Sequence, residues 1–246
     1  MKGIILAAGY ATRLYPLTQN QPKALLLVGG KPIINYILSE FETIPEIDEV
    51  IVISNHKFAT HFEKWAEETK STLKLTVVDD NTTDDSNKLG AVGDVQYVIE
   101  KCNINDDLFV MAGDNIFTFA LKDYYDFFVD NNADCILVKE LKKEEDLVRM
   151  ANVKVDEKGR VTYMVEKPNP PVSNLAAFAA YIYQKETISM IKQYLDEGNN
   201  PDAPGFFPSW LHSKKDVFAY EFKGECYDIG THESYKEVCE IFKTKG

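Results

Sequence analysis

The chain has 246 residues, which is enough for one large domain or two small ones with a sizeable core. Its composition, 45% hydrophobic and 27% charged, is typical of a globular protein. The formal net charge of -12 argues against nucleic acid and anionic membranes as partners, because both require basic surface. Basic residues that cluster against this acidic background are therefore informative.

The cysteines and the apolar segments indicate a cytoplasmic protein. Four scattered cysteines show neither CxxC spacing nor a zinc-type cluster, and reduced thiols are expected: Cys102, Cys135, Cys226 and Cys239. The N-terminus begins a strand directly, without a signal-type stretch. No apolar run approaches the roughly 20 residues that span a bilayer, so we expect no membrane partner. The oligomeric state is not readable, and a homo-oligomer stays open.

Strand-length apolar runs alternate with amphipathic, helix-length segments through the first half of the chain. The predicted strands cover residues 2–7, 49–54, 73–78, 108–112 and 135–138. The predicted helices cover residues 32–43, 58–69, 91–100 and 121–131. This alternation predicts right-handed βαβ units and a mostly parallel sheet covered on both faces. Ligands of such sheets bind outside the carboxyl ends of the strands.

The second half contains a hairpin and further strands. Residues 151–155 and 160–165 flank a turn that ends at Gly159, which is a hairpin signal. Strands at 176–183 and 217–222, and helices at 186–197 and 232–243, follow around a Pro/Gly/Asn-rich stretch at 198–208. No linker or internal repeat divides the halves. We therefore expect one α/β domain over residues 1–246.

The loop that follows the first strand contains small residues and two cations. Residues 8–24 include Gly9, Arg13 and Lys23, but match neither a Walker A loop nor a GxGxxG turn. Each residue alone fits a plain turn with solvated charges. Together, directly after the first strand of a βαβ pattern, they favour phosphate binding, because backbone N–H groups can approach a ligand and the cations neutralise its charge. The predicted ligand is a nucleoside triphosphate.

Two aspartates lie at strand-end turns far apart in sequence. Asp114 follows a buried strand and Gly113, where it could hold Mg²⁺ or act as a turn or N-cap residue. Asp228 precedes Thr231, which can cap the last helix, so Asp228 is left for another role. Mg²⁺ typically takes one or two protein carboxylates, and this pair would suit one such cation.

A charged pair ends the hairpin. Glu166 and Lys167 precede Pro168, which forces an extended exit from the strand. The pair fits either an ordinary solvated charge pair or a ligand-binding motif.

These motifs together resemble the sugar-1-phosphate nucleotidyltransferases. The first loop resembles the family's signature, Leu6-Ala-Ala-Gly-Tyr-Ala-Thr-Arg-Leu-Tyr-Pro-Leu-Thr18 with Pro22-Lys23. Four later motifs follow in family order: Leu89-Gly90-Ala91, Gly113-Asp114-Asn115, Glu166-Lys167-Pro168 with Ser173-Asn174, and Tyr227-Asp228-Ile-Gly-Thr231. The resemblance extends from residue 1 to about residue 235.

The resemblance implies a fold and a role for each motif. It implies a single Rossmann-like α/β domain of the GT-A type, with a mostly parallel mixed sheet flanked by helices, in which residues 1–140 bind the nucleotide and 141–246 the sugar phosphate. The implied catalytic residues are Arg13, Lys23 and Lys167, and the implied Mg²⁺ ligands are Asp114 and Asp228. The implied nucleotide-binding residues are Ala8, Gly9, Tyr10, Ala11, Thr12, Asn81 and Gly90. The implied substrate-binding residues are Asn115, Glu166, Asn174 and Tyr181.

The chain departs from the family pattern at three places. Ala11 replaces the more usual glycine of the first loop; its backbone N–H is retained, so we expect the change to be tolerated. Ala179 replaces the usual glycine of the sugar-site strand, which affects the fit of the sugar. Residues 80–87 depart from the usual base-site sequence, so the choice of base is not fixed by the motifs.

The implied reaction joins two anions without a protein nucleophile. A sugar-1-phosphate oxygen attacks the α-phosphorus of a nucleoside triphosphate, with dTTP or UTP favoured, and pyrophosphate leaves; positioning and charge neutralisation do most of the catalysis. Two alternatives stay open. One is cytidylyl transfer to phosphocholine or a similar phosphoryl alcohol, and the other is a non-catalytic nucleotide-binding regulatory module.

Overall fold

A computed structural model of the protein describes residues 1–243. The described chain contains thirteen strands, β1 to β13: Lys2–Leu6, Leu27–Val28, Lys31–Pro32, Glu49–Ser54, Lys74–Asp79, Leu108–Ala112, Asn115–Phe117, Asp134–Glu140, Ala151–Val155, Val161–Val165, Leu175–Tyr183, Val217–Glu221 and Cys226–Asp228. It contains eight α-helices, α1 to α8: Ile33–Phe41, Ala59–Glu68, Ala91–Cys102, Leu121–Asn131, Glu144–Leu147, Ile188–Asp196, Phe206–Leu211 and His232–Lys243. Three 3₁₀ turns lie at Thr12–Leu14, Lys23–Leu25 and Lys185–Thr187.

The chain divides into two compact units, each built from separate segments. The aspartate unit comprises Lys2–Lys88, Ala112–Lys122 and the chain from Gly224 onward. The glutamate unit comprises Leu89–Met111 and Asp123–Lys223, together with Met1. The division into residues 1–140 and 141–246 stays a prediction.

The aspartate unit is built on a parallel ladder of β1, β4 and β5. β1 pairs with β4 from Lys2 to Leu6, and β4 pairs with β5 along its whole length. Ile4 and Ile5 of β1 are fully buried, as are four successive apolar residues of β4, which is the continuous apolarity of strands covered on both faces. At the carboxyl end of β1 the Leu6 carbonyl accepts a hydrogen bond from Gly113 N at 2.9 Å. The ladder thereby anchors the turn that precedes Asp114.

A smaller apolar cluster of the aspartate unit fixes three segments that carry charged residues. Buried Leu14, Ile116 and Ile229 pack in this cluster with residues of β2, α1 and α8. Each of the three lies one or two positions from a charged residue of the predicted site. Burial of these apolar side chains holds their polar neighbours in place, and each fully buried side chain contributes about 1.5–3 kcal/mol.

The glutamate unit is organised around β11. β11 pairs antiparallel with β6, β8 and β9, β9 continues into a hairpin with β10, and β12 adds to β8 in parallel. The β8–β11 register shifts between Phe178 and Tyr181, so the irregularity includes Ala179. Tyr124 of α4 is fully buried, packs edge-on against Phe109 and donates to the Ala180 carbonyl. Helices therefore cover this sheet as well.

The predicted α/β class, with parallel and mixed pairing and flanking helices, is confirmed. Most elements match the sequence prediction to within one or two residues at each end. The short strands β7 and β13 were not predicted, and α7 begins inside the stretch predicted to be irregular. No helix within the described residues 1–243 is both long enough and apolar enough to cross a membrane.

Candidate active site

The loop after β1 presents backbone in an exposed turn. Ala8 and Tyr10 are buried while Gly9 is exposed, and the Tyr10 hydroxyl lies 3.3 Å from Thr82 Oγ1. Ala11 adopts a left-handed conformation with φ 47°. Its carbonyl accepts hydrogen bonds from Leu14 N at 3.0 Å and from Thr18 Oγ1 at 2.8 Å. The usual family glycine thus corresponds to a backbone conformation that costs other residues about 1–2 kcal/mol.

Two 3₁₀ turns carry the cations of this loop. Arg13 and Thr12 are exposed on the first turn, and buried Leu14 anchors it. Lys23 begins the second turn, where the preceding Pro22 is extended. The Lys23 ammonium forms an ion pair with Asp114, with Nζ and Oδ2 2.5 Å apart, and both side chains are about three-quarters or more shielded from solvent. The structure therefore brings Lys23 to a residue 91 positions away.

Asp114 and Asp228 are neighbours through the antiparallel pairing of β7 with β13. Asp228 lies opposite Asn115, and Ile229 N donates to the Asp114 carbonyl at 3.1 Å. Neither short strand has the length or pattern that sequence reasoning detects. Their pairing joins the two predicted metal ligands in one cluster with Lys23.

The charges around Asp228 affect its pKa. The surrounding protein displaces part of its water shell and, with the nearby Asp114 carboxylate, raises the pKa of Asp228 to about 6, against the opposing effect of Lys23 and Arg13. More than a third of the residue surface stays open to solvent, so water moderates this effect. Asp114, Asp228, Lys23 and Arg13 therefore form one charged cluster, in which the carboxylate of Asp228 is exposed to solvent and has a pKa of about 6.

The donor set of this cluster suits a hard divalent cation. Among residues 1–243 no three His, Cys, Asp or Glu side chains form a metal-binding group. Mg²⁺ does not require one, because it commonly takes one or two carboxylates and completes its shell with phosphate oxygens and water. Asp114 and Asp228 would supply that number of carboxylates, and Asp228 is accessible to solvent.

Two further predicted residues of the aspartate unit have their own local contacts. Asn81 is exposed after β5 with φ 61°, and its N–H donates to Asp79 Oδ1 at 2.7 Å. The Asn115 side chain is buried, and its Oδ1 lies 3.8 Å from the Cys226 thiol, which donates to it. Asn115 therefore stabilises the β7–β13 pair, and its predicted contact with substrate stays a prediction.

In the glutamate unit, a buried acid lies beside an exposed base. The Glu166 side chain is 7% exposed, Lys167 is 53% exposed, and Lys167 Nζ lies 3.7 Å from Glu166 Oε1. Burial raises the pKa of Glu166, and Lys167 partly opposes this shift. The Lys167 backbone is left-handed with φ 49°, and its N–H donates to the Met150 carbonyl. The left-handed backbone of Lys167 is of a kind that clusters at functional sites.

Tyr181 and Asn174 lie on or beside β11 but differ in exposure. Tyr181 is buried and stacks with Tyr183, with ring centroids 6.0 Å apart. Burial, followed by the charge of Glu166, raises the pKa of Tyr181 well above its ordinary value. Asn174 is exposed, and its carbonyl accepts from Leu141 N at 2.8 Å. The predicted contacts of both residues with substrate stay predictions.

Gly90 has a structural reason that the sequence did not reveal. It precedes α3 with φ 80°, and a Cβ there would lie 2.5 Å from the Pro201 carbonyl oxygen. The N–H groups of Ala91 and Val92 donate to the carbonyls of Asp202 and Pro201. The predicted approach of Gly90 to a base stays a prediction, since the close approach that the structure contains is to Pro201.

Sequence reasoning did not single out Gly205, which lies against Glu166. It contacts Glu166 so closely that a side chain at this position would overlap the carboxylate. Glycine in a Pro/Gly-rich stretch reads as turn chemistry, and only the structure shows what lies above its Cα.

The chain is similar to nucleotidyl transferases over nearly its whole length. The family model described as nucleotidyl transferase matches residues 2–245. A Sulfolobus acidocaldarius protein named after mannose-1-phosphate guanyltransferase is 28% identical over 241 residues, covering 97% of this chain and 62% of the relative. The chain therefore spans less than two thirds of that relative.

Two other similar proteins are closer in length. A UTP–glucose-1-phosphate uridylyltransferase from Staphylococcus epidermidis is 29% identical over 252 residues, covering 93% of this chain and 87% of the relative. A crystal structure of UDP-glucose pyrophosphorylase with UDP-glucose superimposes with a TM-score of 0.84 at 21% identity, covering 100% of this chain and 99% of the other. The second likeness shows the fold.

Proposed function

Because the chain belongs to the nucleotidyl transferase family, we propose that it transfers a nucleotidyl group from a nucleoside triphosphate to a sugar-1-phosphate. The observation that carries the proposal is the charged cluster of the aspartate unit. Lys23 pairs with Asp114, and Asp228 lies beside this pair. In sequence, Lys23 comes after the exposed loop at Gly9. Such a cluster supplies cations for a polyphosphate and carboxylates for the metal that accompanies it.

The proposed reaction exchanges one phosphorus–oxygen bond for another. An oxygen of the sugar-1-phosphate attacks the α-phosphorus, the bond from that phosphorus to the bridging oxygen breaks, and the electron pair leaves with pyrophosphate. Arg13 and Lys23 neutralise the nucleotide phosphates in this proposal, and the ion pair with Asp114 holds Lys23 in place before the nucleotide binds. A divalent cation, when bound by Asp114 and Asp228, would further neutralise phosphate charge. Lys167 would hold the phosphate of the sugar-1-phosphate, and Glu166 would bind the hydroxyl groups of the sugar.

We infer UTP, or its close analogue dTTP, as the nucleotide and a hexose-1-phosphate as the acceptor. The Staphylococcus epidermidis relative and the solved structure described above match this chain in length and are named for uridylyl transfer and UDP-glucose, and a third protein of matching length is named for thymidylyl transfer. The guanyltransferase-named relative is longer. The unusual residues 80–87 lie in the segment where the family's base site is expected, so this preference is the first one to measure.

The test is pyrophosphate release by the purified protein with Mg²⁺. Each nucleoside triphosphate and dTTP is paired with a panel of sugar-1-phosphates, and CTP is also paired with phosphocholine. We expect turnover with at least one sugar-1-phosphate. Turnover only with CTP and phosphocholine, or tight nucleotide binding without pyrophosphate release, would contradict the proposal.

The paired variants are Asp114→Asn and Asp48→Asn. Asp114→Asn removes the carboxylate that holds Lys23 and should reduce kcat by about a hundredfold to a thousandfold, as loss of one stabilising group does elsewhere. Asp48 carries the same charge in the same unit but pairs with Lys2 at the surface, so Asp48→Asn should keep wild-type activity. Equal activity in both variants would remove Asp114 from the proposed site.

A further inference from the structure

The backbone conformation at Gly205 does not require a glycine. Its φ of -72° and ψ of -12° are ordinary helical values that alanine adopts without strain. A Cβ at this position would nevertheless overlap Glu166 Oε2 and would lie 3.2 Å from Glu166 Cδ. The carboxyl group of Glu166 thus occupies the volume in which a side chain at residue 205 would lie.

The backbone at Gly205 cannot retreat easily from this contact. On its N-terminal side, the Pro201 and Asp202 carbonyls accept hydrogen bonds from the first turn of α3, at 2.9 and 3.0 Å. On its C-terminal side, buried Phe207 packs against Tyr183 and Tyr194, with ring centroids 5.2 and 5.7 Å away. The segment is therefore fixed on both sides of the glycine.

The other neighbour of Gly205 is equally constrained. A Cβ at residue 205 would lie 3.3 Å from the Ala151 Cβ. Ala151 is buried in β9 and lies opposite Ala177 of β11, so the sheet holds it. The three atoms nearest to such a Cβ belong to Glu166 and Ala151, and of these two residues only Glu166 has a flexible side chain. An added methyl group would therefore displace the end of the Glu166 side chain.

We propose that Gly205 is a positioning residue for sugar recognition, since its missing side chain is what seats the Glu166 carboxylate. This inference rests on the proposed function, in which Glu166 binds the hydroxyl groups of the sugar-1-phosphate. The residue acts through Glu166 and does not itself touch substrate. It also sets specificity, because the position of a buried hydrogen-bonding carboxylate decides which hydroxyl arrangement can bind.

The kinetic test compares Gly205→Ala with Ser209→Ala. Gly205→Ala should raise the KM for the sugar-1-phosphate by about tenfold to a hundredfold, the effect of losing a hydrogen bond to a charged group. The KM for the nucleotide should stay within about twofold of wild type, a shift too small to reflect a lost hydrogen bond. Ser209→Ala removes the hydroxyl that donates to the Gly205 carbonyl, and leaves the space above the Gly205 Cα unchanged. It should behave as wild type.

A second comparison separates positioning from general damage to the fold. Glu166→Asp withdraws the carboxyl group by one methylene and frees the space above Gly205. Adding Gly205→Ala to Glu166→Asp should therefore change the KM by less than about threefold, although the same substitution is costly in the wild-type background. Equal costs in both backgrounds would overturn the inference.

A crystal structure of Gly205→Ala gives a readout that does not depend on activity. The new Cβ and Glu166 Oε2 must separate to at least 3.0 Å, and we expect the carboxyl group to make that movement. A carboxyl group that stays in its wild-type position would overturn the inference, whatever the enzyme does. Absence of turnover in the wild-type protein would instead contradict the proposed function.

Discussion

The charged clusters of the two units are organised by different physical means. In the aspartate unit, Lys23 and Asp114 compensate each other's charge at 2.5 Å, and Asp228 lies beside them. In the glutamate unit, Glu166 is buried, and its nearest cation is an exposed lysine 3.7 Å away. The first cluster is held by charge and the second by shape, which suits a polyphosphate in one case and the hydroxyl groups of a neutral ring in the other.

The largest expected effect comes from removing the cation of the first cluster. Lys23→Ala should reduce kcat by about a hundredfold to a thousandfold, because the charge on the nucleotide phosphates then lacks one stabilising group. The measurement is the steady-state rate of pyrophosphate release. Lys64→Ala, which removes an exposed lysine of the same unit, is the control and should retain activity. A near-wild-type kcat in Lys23→Ala would show that catalysis does not depend on the charge of the first cluster.

The next effect tests the second cluster through its buried acid. Glu166→Gln keeps the shape of the side chain and removes its charge, so the KM for the sugar-1-phosphate should rise by about tenfold or more while the nucleotide KM stays unchanged. Glu221→Gln, an exposed glutamate at the end of β12, serves as control. A rise in the nucleotide KM alone would show that Glu166 binds the nucleotide and that its proposed contact with the sugar is wrong.

Gly90 combines crowding with backbone strain, because its φ of 80° and ψ of 159° form a conformation that essentially only glycine adopts. Gly90→Ala and Gly30→Ala place alanine at almost equal φ, 80° and 79°, but only residue 90 has backbone atoms within 3 Å of the new Cβ. We expect Gly30→Ala to cost about 1–2 kcal/mol of unfolding free energy, and Gly90→Ala clearly more. Chemical denaturation of both variants measures the difference, and equal losses would show that neither the contact with Pro201 nor the ψ of Gly90 adds to the cost.

The aspartate unit offers the opposite substitution. Ala11 has φ 47° in the first loop, so Ala11→Gly should raise the unfolding free energy by about 1 kcal/mol through relief of strain. Thermal and chemical denaturation test this. A loss of stability would show that the loop does not strain Ala11 at all.

The smallest expected effect concerns the pH dependence of Asp228. Its pKa of about 6 lies above the ordinary 3.8, so the folded protein binds the extra proton between these values and becomes more stable, in this respect, as pH falls through 6. Without metal, Asp228→Asn should therefore raise Tm slightly at pH 7.5 and less at pH 5. Mg²⁺ should raise the Tm of the wild-type protein, and do so less below pH 6, but should not raise that of the variant. A constant difference in Tm between the two proteins across this range would contradict the assignment.

The sequence predicted local elements well because they depend on local signals. The apolar run of β1, the amphipathic pattern of α3 and the Gly159 turn all predict the elements that the structure contains. The motifs also indicated the charged residues of both clusters. The approach of Asp114 to Asp228 could not be derived from spacing, because it depends on the pairing of two three-residue strands more than a hundred positions apart.

Close approaches were the least predictable feature of the site. The contact of Gly90 with Pro201 could not be predicted from its motif, and Gly205 carried no signal at all. The expected approach of Gly90 to a base stays a prediction. The sequence of a turn records that a side chain is missing, but not which distant atom occupies the space. For the same reason the contact between the buried Asn115 amide and Cys226 could not be predicted from the motif, and the predicted contact of Asn115 with substrate stays a prediction.

The most direct test of the proposed function is a ³¹P NMR time course of the wild-type protein with Mg²⁺, UTP and glucose-1-phosphate, repeated with dTTP and the other nucleotides. We expect pyrophosphate and a sugar nucleotide to appear together in equal amounts, with the α-phosphorus of the nucleotide linked to the phosphate of the sugar. Release of inorganic phosphate alone, or unchanged spectra with every nucleotide and sugar-1-phosphate, would contradict it.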